Sequence, residues 1–128
     1  MSKWEDYSNH ARSKGVLAKE LFMVRSIPAV PLDQLAEQLP PHLAYQKKLE
    51  DEGTLVFAGP LSDPSAQEWS GEGLIIYRAR SIDEARRVAD SDPMHAKGLR
   101  TYELRAWLLN EGSLNLSLSL STQKLTFD

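Results

Sequence analysis

Two residues in this chain are of the types, and in the settings, that proton transfer needs. They are His42, in His42-Leu-Ala-Tyr-Gln46, and Asp92, in Asp92-Pro93. A neutral imidazole accepts a proton near pH 7. A carboxylate bonded to its other nitrogen fixes the tautomer and stabilises the ring once it is charged. Such a pair abstracts a proton beside a carbonyl or from a phenol. Elimination and isomerisation share that step, and it needs no cofactor. Each residue also has an ordinary reading. An inward histidine is most often a hydrogen-bonded core residue, and an Asp before Pro is most often a turn or helix-end device. Spacing alone leaves both readings open.

Other side chains are weaker candidates. Arg25, in Leu21-Phe-Met-Val-Arg-Ser-Ile-Pro28, can bind a substrate anion, with a solvent-facing salt bridge as its alternative. His95 follows the Asp-Pro turn and can reach the same cleft, or simply sit exposed in a loop. The acidic loop from Ser62 and Asp63 to Glu72 reads as a lid or as a solvated connection. Trp107 and Tyr102 suit a core or an interface better than a ligand stack. There is no cysteine, which excludes disulfides, thiolate catalysis and zinc–thiolate sites. Three histidines with no ligand-like spacing give no reason to expect a metal. A net charge of −3 without a basic face argues against nucleic acid. No apolar run reaches the roughly 18 residues of a spanning helix. The polar start, Met1-Ser-Lys-Trp-Glu-Asp-Tyr7, does not read as a signal peptide, so a cytoplasmic protein is expected.

The elements that must position His42 and Asp92 follow from periodicity. Leu21–Pro28 is a strand candidate ended by proline. Leu32, Leu35, Leu39, Leu43 and Leu49 recur near a helical period, with His42 on the same stripe and so facing the sheet. Pro40-Pro41 interrupts that run. It predicts a short helix over Leu32–Leu39 and a second starting at about Pro41, stopped at Gly53. His42 then lies in a first turn, where the helix dipole and partial burial both favour the neutral ring. Thr54–Ala58 and Gly73–Ala79 are strands, with Gly59-Pro60 shaping the exit of the first. Ser81-Ile-Asp-Glu84 is a capping box that opens a helix ended by Asp92. Arg100–Leu109 is the fourth strand, with Tyr102, Leu104, Ala106 and Leu108 on one side.

The order β-α-β-β-α-β is the ferredoxin-like arrangement of an α+β domain. Its helices cover one sheet face only. A second copy is the simplest cover for the other, so a homodimer is expected. A single domain spanning 1–128 is read, with a core at about 21–109, a helical extension at 1–20 and a tail strand within 112–128. In that extension Gly15 stops a first helix and Val16–Glu20 forms a further turn. The tail, Leu114-Asn-Leu-Ser-Leu-Ser-Leu-Ser121, alternates with period two. It predicts a strand with one buried leucine face, pairing within the monomer or with a partner subunit.

The spacing His42-Leu…Leu49…Gly53-x-Leu55…Gly59-Pro60, then Gly73-Leu-Ile-Ile, Ser81-x-x-Glu-Ala, Asp92-Pro…Gly98 and Arg105-Ala-Trp107 closely resembles the YciI-like (YCII-related) family over about residues 21–109. The resemblance implies a dimeric α/β barrel of ferredoxin-like subunits and a His–Asp pair in a cleft, here His42 and Asp92. Its characterised relatives include a dehydrochlorinase of aromatic degradation, and similar folds include muconolactone isomerases and cofactor-free monooxygenases. A small cofactor-independent lyase or isomerase acting on a cyclic or aromatic carbonyl compound is therefore implied. The alternative is a non-catalytic dimer module that binds a small ligand or a partner protein. One departure is Met94, where the family often has an aromatic residue, which should alter pocket shape rather than chemistry.

Overall fold

A computed structural model describes residues 1–128. The chain divides into two compact units: Glu20–Leu108, and Met1–Lys19 together with Leu109–Asp128.

In the larger unit the strands are β1 (Lys19–Pro28), β2 (Leu55–Pro60), β3 (Gly73–Tyr77) and β4 (Arg100–Leu109). They form a four-stranded sheet of order β2-β3-β1-β4, with β3 antiparallel to both β1 and β2. This is the ferredoxin-like order. The helices α2 (Leu39–Asp51) and α3 (Ile82–Asp90) supply Tyr45, Leu49, Val88 and Ala89 to one sheet face. There they meet Val24, Ile75 and Tyr77. Full burial of one such side chain contributes about 1.5–3 kcal/mol. The Tyr45 hydroxyl donates to the Val88 carbonyl at 2.6 Å and ties α2 to α3.

The short helix expected over Leu32–Leu39 is a 3₁₀ helix over Leu32–Gln38, and α2, expected from about Pro41, starts at Leu39. Both prolines fit its first turn because the leading N–H groups of a helix have no partner inside it. The stop is as expected. Gly53, at φ 80°, lets its own N–H reach the Glu50 carbonyl at 3.0 Å and Thr54 N–H reach the Leu49 carbonyl at 2.8 Å, a Schellman closure. At α3, Ser81 Oγ accepts from Glu84 N–H at 3.1 Å. The reciprocal half of the capping box is not made, because the Glu84 carboxylate pairs with Arg80 at 2.9 Å instead. Nor does Asp92 end this helix. α3 closes at Asp90, and Asp92 opens the separate short helix α4 (Pro93–Ala96).

The opposite face of the sheet carries Met23, Leu74, Ile76 and Trp107 around a shallow depression. Phe57 lies opposite Ile76 across β2 and β3 and shares that face. Phe57, Leu74 and Trp107 are 45%, 36% and 41% exposed, so the apolar face stays open in the monomer.

In the smaller unit α1 (Trp4–Ser13) is followed by Gly15, as expected. The further helical turn over Val16–Glu20 is absent, since β1 already begins at Lys19. The tail forms a hairpin of β5 (Leu116–Ser119) and β6 (Lys124–Phe127). Its register places Leu116 opposite Phe127 and Leu118 opposite Leu125. The alternation is real, but the leucine face is not buried: Leu116, Leu118, Leu125 and Phe127 are all exposed. No helix in the chain is long and apolar enough to cross a membrane.

Candidate functional site

α2 brings His42 to the inner side of its first turns, and the N-cap of α4 brings Asp92 beside it. His42 Nδ1 stands 2.8 Å from Asp92 Oδ2 and 3.0 Å from Oδ1. The aspartate side chain is 1% exposed and that of the histidine 15%. Asp92 Oδ1 also accepts the Met94 backbone N–H at 3.0 Å. The two readings of Asp92 therefore combine in one carboxylate, which both caps α4 and receives the histidine. Because the carboxylate can only accept, Nδ1 carries the hydrogen and Nε2 keeps its lone pair. The Gln46 amide Nε2, one turn further along α2, lies 2.7 Å from that lone pair and donates to it. Gln46 Oε1 is left buried without a partner.

The ring borders a cavity of about 390 Å³. Leu39 and Leu43 from α2, Ile75 from β3, Met94 from α4 and Trp69 from the loop after β2 form its apolar wall. Leu39 and Leu43 were expected in the core stripe. They are 47% and 54% exposed and line the cavity instead. Loop 61–72 does reach the site, through Trp69 and Glu72. It is held by the Trp69 indole N–H, which donates to the Glu72 carbonyl at 2.8 Å. Gly71 anchors it at φ 98°, so close to its neighbours that an added Cβ would stand 2.4 Å from Leu32 and 2.6 Å from Pro28.

The two expected ligand contacts lie outside the cavity lining. Arg25 turns its guanidinium to Glu72, with Nε 2.7 Å from Oε1, and to Glu103 at 3.9 Å. His95 sits behind the wall. Its Nδ1–H donates to the Ala89 carbonyl at 2.8 Å, and Nε2 accepts from the Ser26 hydroxyl at 2.8 Å. Its ring also leans on Tyr102, with centroids 4.9 Å apart. Burial pushes the His95 imidazole below its ordinary value, with the Ala89 carbonyl and Asp92 opposing the shift. The cation in the lining is Arg100, at the start of β4, which sequence reasoning passed over. Burial pushes its guanidinium down, opposed by the Asp92 charge. The Tyr77 and Tyr45 phenols are pushed up by burial first and by Asp92 second, so both stay protonated across the physiological range. Gln46 was also missed. The signal for it was its position one turn from His42 on the same helix face. No group of three or more His, Cys, Asp or Glu side chains is placed so that it could hold a metal ion.

Comparison with known proteins adds three findings. The sequence model of the YCII-related domain matches residues 19–108. Protein YciI of Escherichia coli O6:H1 (strain CFT073) and that of Shigella flexneri are each 37% identical over 75 residues, which is 52% of this chain and 76% of theirs. Among solved structures, the 5-chloro-2-hydroxyhydroquinone dehydrochlorinase TftG of Burkholderia phenoliruptrix AC1100, in complex with 2,5-dihydroxybenzoquinone, superimposes with a TM-score of 0.54. That match is 20% identical and covers 70% of this chain and 93% of the other, so it speaks to the fold.

Proposed function

The chain belongs to the YCII-related domain family, and we propose that it is a small cofactor-independent enzyme of the lyase or isomerase type. His42 is the general base and Asp92 its orienting partner. The substrate is a small cyclic or aromatic carbonyl compound or phenol. The observation that carries this reading is the His42 Nδ1–Asp92 contact of 2.8 Å beside the cavity. The carboxylate leaves Nε2 as the basic nitrogen and stabilises the imidazolium formed when that nitrogen takes a proton. A cavity of this size and apolar lining suits one ring. The same fold in a dehydrochlorinase is compatible with the reading.

The working form is proposed to be a cytoplasmic homodimer. Its second copy covers the open sheet face of Phe57, Leu74 and Trp107, whose exposure supports this.

A second reading, ligand binding without turnover, is favoured by one contact. The Gln46 amide occupies His42 Nε2 at 2.7 Å, so a substrate has to displace it before proton transfer. Deuterium incorporation from D₂O into a panel of chlorinated hydroxyhydroquinones and cyclic enones, followed by NMR, separates the two. With the base reading, His42→Gln keeps the fold and lowers exchange about 10²–10⁴-fold. Asp92→Asn lowers it as well, because the tautomer is no longer held. Exchange in His42→Gln at the rate of the unaltered protein would sink the base reading, and binding with no exchange by any form would favour the second.

A further inference from the structure

Of the two charged side chains in the cavity lining, Glu72 has an ion-pair partner and Arg100 has none. Asp92 is taken by His42 at 2.8 Å, and Glu72 by Arg25 at 2.7 Å. Arg100 has no carboxylate within ion-pair distance. Its single hydrogen bond is a long one, from Nη1 to the Ser26 carbonyl at 3.5 Å. A guanidinium offers five N–H donors in a planar fork. Here it is half-buried in a wall shared with Leu39, Ile75, Met94 and Trp69, where water satisfies it poorly. Holding an unpaired cation in such a place costs folding energy, and an anion bound in the cavity offsets that cost.

We infer that Arg100 is the anion-binding residue of this cavity and that the ligand is a planar ring carrying a delocalised oxyanion. The shape argument and the charge argument agree. The apolar wall takes the ring faces, and the fork takes two in-plane oxygens or one ring oxygen bidentately. Arg25 supports this from outside by neutralising Glu72, which would otherwise present a carboxylate to the same ligand. A ring carboxylate and a ring oxyanion (phenolate or enolate) both have the required chemistry. The inference deepens the proton-transfer reading by naming the substrate class, but it concerns binding alone and survives if no proton is moved.

The test is calorimetric titration at pH 8 of the full chain with benzoate, with 4-nitrophenolate, and with uncharged benzamide. At least one anion should bind, and more tightly than benzamide; whichever is tighter identifies the source of the oxyanion. Arg100→Gln should weaken that anion at least about tenfold, the equivalent of one charge-assisted hydrogen bond, and leave benzamide unchanged. Arg100→Lys, which keeps the charge but not the fork, should fall between them, and it stands in if the glutamine variant does not fold. Arg25→Gln should weaken the anion to a smaller degree by freeing Glu72. His42→Gln should still bind the anion, which separates this inference from the role of His42 as a base. Anions bound no better than benzamide would overturn the proposal. So would undiminished anion binding by Arg100→Gln or, where that variant does not fold, by Arg100→Lys.

Discussion

At the scale of single residues, His42 and His95 have different surroundings and different consequences. His42 is tied to a carboxylate that also caps α4, so its orientation is inherited from a helix start rather than from its own helix. His95 is satisfied on both ring nitrogens in its neutral form, by the Ala89 carbonyl and the Ser26 hydroxyl. Burial holds its proton affinity below the ordinary value of 6.5. The sign of the linkage follows. Between the folded value and 6.5 the unfolded chain binds a proton that the folded chain does not, so stability falls as pH drops through that window. The contribution is fully present above 6.5. Urea unfolding at pH 7.5 and pH 5 should therefore show a larger loss for the unaltered protein than for His95→Gln; equal losses would exclude His95 as the cause. His42 and Asp92 are each ordinary at their positions, and it is the family resemblance that makes them legible as a pair. Arg100 is not legible in the chain because a long polar side chain's direction depends on its neighbours across the sheet, which linear spacing does not record.

At the scale of elements, local rules hold where the partner is local. Gly53 stops α2, and Ser81 caps α3 through bonds spanning a few residues. They fail where the partner is distant. Even among local partners a choice stays open, since Glu84 took Arg80, four residues back, rather than the backbone of Ser81. The leucines of the tail alternate correctly, yet a period of two says only that one face is apolar, not what covers it. Leu39 and Leu43 make the same point, since a cavity wall and a packed core have the same composition. The loop after β2 depends on Gly71, whose backbone is both left-handed and pressed against Leu32 and Pro28. Gly71→Ala should destabilise the protein by about 1–3 kcal/mol, the range for strained backbone of this kind. Chemical denaturation measures it, and an unchanged midpoint would show that the loop relaxes without cost.

At the scale of the whole molecule, the ferredoxin-like sheet raises the question of its open face. Phe57, Leu74 and Trp107 present apolar surface on the side away from α2 and α3. Exposed patches of this kind on a small domain mark interaction sites. A second copy is the occupant proposed above, because one self-complementary face closes a dimer with no further component. Sedimentation velocity at micromolar concentration should show a dimer, and Phe57→Lys with Trp107→Glu should shift it to monomer with the fold retained. A monomer in the unaltered protein would remove the dimer from the proposal.

The linear chain by itself determined the element order, and with it the sheet topology, because short strands and helices joined by tight turns leave few ways to connect. It offered the His–Asp pair as a candidate, and the resemblance to the YciI-like family, rather than spacing, set that pair above its ordinary readings. Which charges would be left unmatched was decided only by tertiary structure. Arg25 and Arg100 are chemically the same side chain on two strands of one sheet. Two carboxylates stand within ion-pair distance of the first and none within that distance of the second. Electrostatic pairing acts over a few ångströms of space, and those distances exist only once the sheet has formed.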